Sequence, residues 1–254
     1  MAKIISVVNQ KGGVGKTTTA VNLSAALGQL GHRVLLVDID PQGNSTSGFG
    51  INKRAISFSS YEIITNQANI EDAIVETSAE NVWILPSNMN LAGAEIEIIE
   101  VEKRESILKT ALLKISDRFD YIFIDCPPSL GLITLNSLCA SDTFLVPIQC
   151  EYYALEGLSQ LMSTVRQIKR RYNPYLELES VLLTMYDGRL NLTQQVVAEV
   201  KKFFPNKVFA TVIPRNVRLS EAPSFGQPVI YYDRRSQGAE SYIRLAQEFL
   251  SKQK

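Results

Sequence analysis

Histidine and cysteine are scarce in this chain, and each scarcity closes off a chemistry. His32 is the only histidine among 254 residues. It stands in a Gly-His-Arg turn before an apolar run, a place for a solvated side chain, so histidine-based acid–base catalysis is excluded. Cys126, Cys139 and Cys150 are odd in number and form no CxxC pair. That pattern argues against a disulfide framework and a zinc site, and fits small buried hydrophobes in a reducing cytosol. Charge of one sign is missing too. Lysine plus arginine and aspartate plus glutamate stand at 26 each, so contact with nucleic acid has to come from a local patch. No apolar run approaches a membrane span. The N-terminal MAKIISVVNQKGG is too short in its apolar part for a signal peptide and lacks a cleavage site. A cytoplasmic protein is expected. Linkers, repeats and composition breaks are also absent. With 45% hydrophobic and 20% charged residues, the chain reads as one globular α/β domain over residues 1–254.

What is present is an alternation of two periodicities. Short β-branched runs predict strands at Lys3–Val8, Arg33–Ile39, Val82–Leu85, Asp120–Asp125, Thr143–Pro147, Ser180–Thr184 and Val208–Ile213. Runs such as VLLV and YIFI are continuously apolar, as in strands covered on both faces. Helical patterns lie between them, at about Lys16–Gln29, Arg104–Arg118, Leu130–Ala140, Leu155–Tyr172, Leu192–Phe204 and Gly238–Lys252. The alternation predicts a mostly parallel, twisted sheet with right-handed crossovers and helices on both faces. Gly43–Asn81 is polar and hard to read, with faint helical patterns at Ser60–Ile64 and Ile70–Ile74. Leu91–Val101 starts with good helix formers and ends in β-branched residues, so its type stays open.

The run Gly12-Gly13-Val14-Gly15-Lys16-Thr17-Thr18 follows a predicted strand and opens a predicted helix. Glycines let backbone N–H groups turn inward around phosphate oxygens, and the helix N-terminus adds partial positive charge. Lys16 is placed to reach β- and γ-phosphates, and Thr17 to offer its hydroxyl to Mg²⁺. This is a P-loop for ATP or ADP with Mg²⁺, but a departing one. The usual first glycine is replaced by Gln10, and Lys11 adds a second lysine. Lys11 does not easily share the cradle of Lys16. Its geometric use is to point across a dimer interface at the partner's nucleotide, as an arginine finger does in trans. The alternative is a solvated surface lysine.

Two acidic positions complete the candidate site. Strand alternation through Asp38-Ile39-Asp40 puts Asp38 and Asp40 on one face, at the carboxyl end of the sheet where open α/β sheets bind ligands. Asp40 is the candidate for orienting the attacking water, with a water-mediated contact to Mg²⁺. Asp125 closes YIFID in the manner of a Walker B strand, and its carboxylate would hold a Mg²⁺-bound water. Turn or cap aspartates are the plainer alternative.

These residues resemble the ParA/Soj partitioning ATPases, of the deviant Walker A group that includes MinD and the nitrogenase iron protein. The resemblance runs through KGGVGKTTTAVNLSAAL, VLLVDIDPQGNSTSG, LAGAEIE, YIFIDCPPSLG, QCEYYALEGL, LLTM and IPRNVRLSEAPSFGQPV. It is nearest the short, Soj-like chromosomal branch, because the chain starts at the P-loop strand. The resemblance implies an ATP-closed sandwich homodimer with slow basal turnover, with Lys11 reaching the partner's phosphates and Gly12 at the close approach. It implies that Asp40 is needed for hydrolysis, and that the adenine lies near Leu183–Met185 and Pro214-Arg215-Asn216, with Met185, Pro214 and Asn216 at the nucleotide. It further implies non-specific double-stranded DNA binding through Arg189 and Arg218, a nucleoid-associated location, and a ParB/Spo0J-like activator. Action on a replication initiator is implied by the Soj-like branch alone.

Other basic candidates, Lys169-Arg170-Arg171, Lys201-Lys202 and Lys207, read as solvated faces, with Lys201 and Lys202 the alternative additions to a DNA patch. Trp83 and Tyr152-Tyr153 read as packing or interface residues. Pro127-Pro128 predicts a stiff loop near the γ-phosphate. The final helix carries an ordinary amphipathic stripe and ends in Ser-Lys-Gln-Lys, without a basic membrane-binding extension. Two rivals stay open: a MinD-like positioning ATPase acting on membrane or protein cargo, and a relative that handles metal clusters.

Overall fold

The computed structural model describes residues 1–151 and 154–253. Tyr152 and Tyr153, read above as packing or interface residues, lie outside the described residues. The apolar runs become strands: β1 (Lys3–Val7), β2 (Val34–Asp38), β4 (Val82–Leu85), β5 (Tyr121–Asp125), β6 (Thr143–Gln149) and β7 (Glu177–Thr184). A two-residue strand β3 (Val75–Glu76), absent from the sequence reading, pairs antiparallel to β4. The sheet order is β3-β4-β2-β5-β1-β6-β7, parallel throughout except at that edge.

The central strands are covered on both faces, as their unbroken apolar character requires. In β2, Leu35 and Val37 enter one hydrophobic cluster, while Val34 and Leu36 enter the other. The first cluster is capped by helices that include α5 (Leu91–Glu97), α6 (Ile107–Leu113), α7 (Leu132–Ala140) and α8 (Ala154–Arg171). The second is capped by α1 (Lys16–Gln29) and the last helix (Gln237–Ser251). In that last helix Ala239, Tyr242, Leu245, Ala246 and Phe249 are buried, which is the amphipathic stripe at work.

Several expectations need correction. Val208–Ile213 runs beside β7 but forms only isolated bridges, at Val208 and Pro214. Its middle N–H groups, of Ala210 and Thr211, donate to the Glu248 carboxylate at 2.8 Å each instead of extending the ladder. Arg104–Arg118 splits into a 3-10 turn at Arg104–Ser106 and α6. In Leu91–Val101 the helix stops at Glu97, where the β-branched residues take over. The polar stretch Gly43–Asn81 holds α2 (Asn44–Gly48), α3 (Ser60–Ile64), α4 (Ile70–Ala73) and β3. His32 is half-buried, edge-on to Tyr121 at 5.4 Å, so it is not simply solvated. Trp83 packs edge-on against Phe119 at 5.6 Å, as a packing residue does.

Candidate functional site

The phosphate loop leaves β1 and enters α1 at the carboxyl edge of the sheet. Gly13 and Gly15 adopt φ of 72° and 86°, the left-handed region that glycine reaches without strain. Gly15 is the N-cap of α1 and offers no side chain, so the first helical N–H groups stay open to an anion. Gly12 has no such backbone need, and a Cβ there would meet nothing within 4 Å. Nothing within the chain itself explains a glycine at that position.

The loop is held from behind by residues the sequence did not single out. Asn9 Nδ2 donates to the Pro147 carbonyl at 2.8 Å, and Asn9 Oδ1 accepts from the Lys11 N–H at 3.0 Å. The Thr184 hydroxyl stands 2.8 Å from the Val14 carbonyl and 3.0 Å from that of Ile148. Val14 is therefore a buried support whose own carbonyl is already taken. Asn9 sits just before the loop, but Pro147 and Thr184 come from distant parts of the chain, so no local signal marks the pairing.

A cleft of about 370 Å³ gathers Gly12, Gly13, Gly15, Lys16, Thr17, Thr18, Asp40 and Met185, with Gln42, Asn44 and Pro128. Lys16 is 7% exposed, and its Nζ donates to the Lys11 carbonyl at 3.0 Å. Burial pushes its ammonium down, while Asp125 and Asp40 pull it back up. Met185 follows β7 with φ of 47°, an uncommon conformation for a side-chain-bearing residue.

Asp38 closes β2 and Asp40 lies just beyond it, with the Asp40 N–H donating to the Asp38 carboxylate at 3.2 Å. Asp38 is fully buried and accepts from Thr46 N–H at 2.8 Å and Thr46 hydroxyl at 2.7 Å, bracing α2 against the sheet. Asp40 lies past the strand in a turn, where its carboxylate accepts from Gln42 N–H at 3.0 Å and lines the cleft. Asp125 is also fully buried. Its Oδ2 accepts from Ser45 at 2.8 Å, while Oδ1 is buried without a hydrogen-bond partner. Burial raises its carboxyl above the usual range, against the Ser45 hydrogen bond and the opposing pull of the nearby Thr17 hydroxyl and Lys16 ammonium. A buried, unpartnered carboxylate oxygen near the Thr17 hydroxyl fits the demand of a hard cation or its water. Asp125 and Thr17 therefore suit Mg²⁺.

Other expected site residues lie outside this cleft. Lys11 pairs with Glu151 at 2.5 Å, both partly exposed, within one chain. Pro214 bridges to Tyr186 and lines a second pocket. Asn216 caps α10 (Val217–Glu221) by accepting from Arg218 N–H at 3.0 Å. Arg189 and Arg218 are exposed and ion-paired, to Asp187 and to Glu221 with Asp233. A larger cavity, about 780 Å³, has none of these residues in its wall and is lined by α5, α7 and α8. The cysteines are buried, and burial pushes their thiols up, to about 12 at Cys126 and Cys139 and about 11 at Cys150. That suits inert packing residues.

A family described as an AAA domain matches residues 2–178. The sporulation initiation inhibitor protein Soj of Bacillus subtilis is 58% identical over 248 residues, 98% of each chain. The chain belongs to the Soj/ParA family of partitioning ATPases. The chromosome partitioning protein ParA of Myxococcus xanthus is 50% identical, over 99% of this chain and 89% of that one. Among solved structures, cobyrinic acid a,c-diamide synthase from Mycobacterium smegmatis, with bound ADP and magnesium, superposes with a TM-score of 0.86. It is 38% identical and covers 98% of this chain and 94% of that one. Family membership extends over the whole sheet, so the P-loop is one part of a likeness that includes the β7 end and the last helix.

Proposed function

We propose that this Soj/ParA-family ATPase is a DNA-partitioning switch driven by Mg·ATP. The observation that carries this reading is the cleft itself: P-loop glycines, Lys16, Thr17 and Asp40 converge there, with the unpartnered Asp125 oxygen behind them. Backbone N–H groups at the start of α1 bind the phosphates, and Lys16 balances their charge. Thr17, with Asp125 and Asp40 through water, would hold Mg²⁺, which supplies charge neutralisation at the β- and γ-phosphates. Asp40 orients the attacking water, with its carboxylate set by the turn to Gln42.

Lys11 acts in trans on the partner's nucleotide, which requires release from Glu151. Gly12, with open space where a side chain would stand, is where a second copy closes in. Adenine is held near Met185, Pro214 and Asn216. The ATP dimer binds double-stranded DNA without sequence preference through Arg189 and Arg218, and so sits on the nucleoid. A ParB-like partner raises a slow basal hydrolysis and releases the monomer.

The test is gel filtration and DNA mobility shift with ATP or ADP and Mg²⁺. Wild type is expected to form a DNA-binding dimer with ATP only. Asp40→Ala stabilises that dimer by blocking hydrolysis, and Gly12→Val abolishes it by obstructing closure. An ATP dimer that ignores DNA at low salt would remove the DNA half of the reading and favour a membrane or protein cargo.

A further inference from the structure

Both arginines assigned to DNA by resemblance are already engaged. Arg189 closes on Asp187 with two hydrogen bonds, at 2.8 and 2.6 Å. Arg218 lies 2.8 Å from Glu221 and 3.2 Å from Asp233. Two other guanidinium groups near them, Arg215 and Arg244, are exposed and form no salt bridge among the described residues. Arg189, Arg215 and Arg244 line one pocket of about 560 Å³, and Asp187 is the one carboxylate in its wall. Three guanidinium groups against a single carboxylate leave the pocket positive.

The pocket is partly built in advance. Arg244 Nη2 donates to Ser241 Oγ at 3.3 Å, and Ser241 is 1% exposed, so a buried hydroxyl steadies this guanidinium. Arg215 follows Pro214, which is bridged to Tyr186. Forked donors lining a concave surface suit an anion with several oxygens. The volume exceeds what one phosphate group fills, which favours a sugar-phosphate strand over a lone ion. The chain also links this pocket to the nucleotide: Met185 lines the ATP cleft, and Tyr186, Asp187 and Arg189 line the arginine pocket.

We propose that this pocket is a phosphodiester cradle, in which Arg244 and Arg215 hold a DNA backbone phosphate and Asp187 withholds Arg189 until that phosphate displaces it. The cradle rests on the DNA-binding reading above and adds its own residues to it. An incoming phosphate offers Arg189 a substitute for the Asp187 carboxylate, so the third guanidinium joins only when DNA is present.

The experiment is fluorescence anisotropy of a random-sequence duplex with the full chain, ATP and Mg²⁺, across a salt series. Melting curves and gel filtration confirm that each variant folds and dimerises. Arg244→Ala is expected to weaken binding about tenfold, as loss of a charge-assisted contact does. Its slope of log affinity against log salt should become shallower by about one for each cradle engaged. Asp187→Asn is expected to tighten binding severalfold by freeing Arg189. Wild-type affinity and slope in Arg244→Ala, with wild type itself binding DNA, would overturn the cradle and leave the DNA reading standing. No DNA binding by wild type at low salt would sink both. Unchanged or weaker binding in Asp187→Asn would overturn the withholding role. Inorganic phosphate at matched ionic strength is expected to compete for the cradle and narrow the difference between wild type and Arg244→Ala; a difference that no phosphate concentration changes would overturn a phosphate-binding pocket.

Discussion

Thr184 is the residue on which the phosphate loop leans. Its one hydroxyl serves two carbonyls, of Val14 and Ile148, and its methyl carbon stands 3.6 Å from where a Cβ of Gly15 would be. Valine has nearly the same shape but no proton to give, so Thr184→Val removes the one hydroxyl proton that the two buried carbonyls share. The expected cost is about 1–3 kcal/mol of stability, with weaker nucleotide binding because the loop loses its rear support. Thr184→Ser keeps the hydroxyl and should keep nucleotide affinity. Melting curves and titration with a fluorescent ATP analogue check both. At this scale the front of the site was legible and the back was not. Lys16, Thr17 and the glycines announce themselves because phosphate binding needs them adjacent in sequence. Thr184 and Val14 are 170 residues apart, and Asn9 and Pro147 are 138 apart, so only the folded chain pairs them.

The elements were legible wherever periodicity had one cause. Helix α1 is found from Lys16 to Gln29, as expected, because its cap, loop and apolar face agree. Its Gly28 has a second reason to be small. A Cβ there would collide with the Glu80 carbonyl oxygen and stand 2.6 Å from a methyl of Val82, so the helix backbone presses directly on the β4 edge. Gly28→Ala is expected to destabilise the fold by about 1–3 kcal/mol, despite alanine's better helix propensity. Gly157→Ala in α8, where the new methyl meets nothing within 4 Å, should instead gain up to about 1 kcal/mol. Chemical denaturation of the pair distinguishes packing from propensity. Val208–Ile213 shows the opposite limit. Its residues have strand character, and Phe209 and Ile213 N–H donate to β7 carbonyls, but the Glu248 carboxylate takes the N–H groups of Ala210 and Thr211 between them. A competing side chain 38 residues away leaves no mark on the local pattern. The short helices α2 and α10 fell below the length at which a period is visible.

For the whole molecule, the ends of the chain meet at the far edge of the sheet. Lys3 Nζ donates to Glu179 at 2.6 Å and to the Gln253 side-chain carbonyl at 2.5 Å, and Gln253 also donates to Glu179. Burial alone would raise the Glu179 carboxyl. The hydrogen bonds from Lys3 and Gln253 outweigh it and leave the carboxyl below its ordinary value. A lowered folded pKa contributes stability above the unfolded value, and loses it as pH falls through the folded value. Glu179→Gln is therefore expected to cost about 1–2 kcal/mol near neutral pH. Its deficit should shrink in acid, below the usual glutamate range. Melting wild type and variant across pH gives the difference directly, since other carboxylates cancel between them. The parallel architecture itself was readable from alternation and from apolar runs. The antiparallel edge strand β3 was not, because two residues carry no period.

Met185 is the seam between the two pockets: it lines the cleft, and its neighbour Tyr186 lines the arginine pocket. If both pockets bias its left-handed backbone, ATP and DNA become linked ligands in the thermodynamic sense. Whatever factor ATP lends to DNA affinity, DNA must return to ATP affinity. The chain would then hold its nucleotide more firmly on DNA than off it, and dilution from the duplex would itself act as a signal to let ATP go.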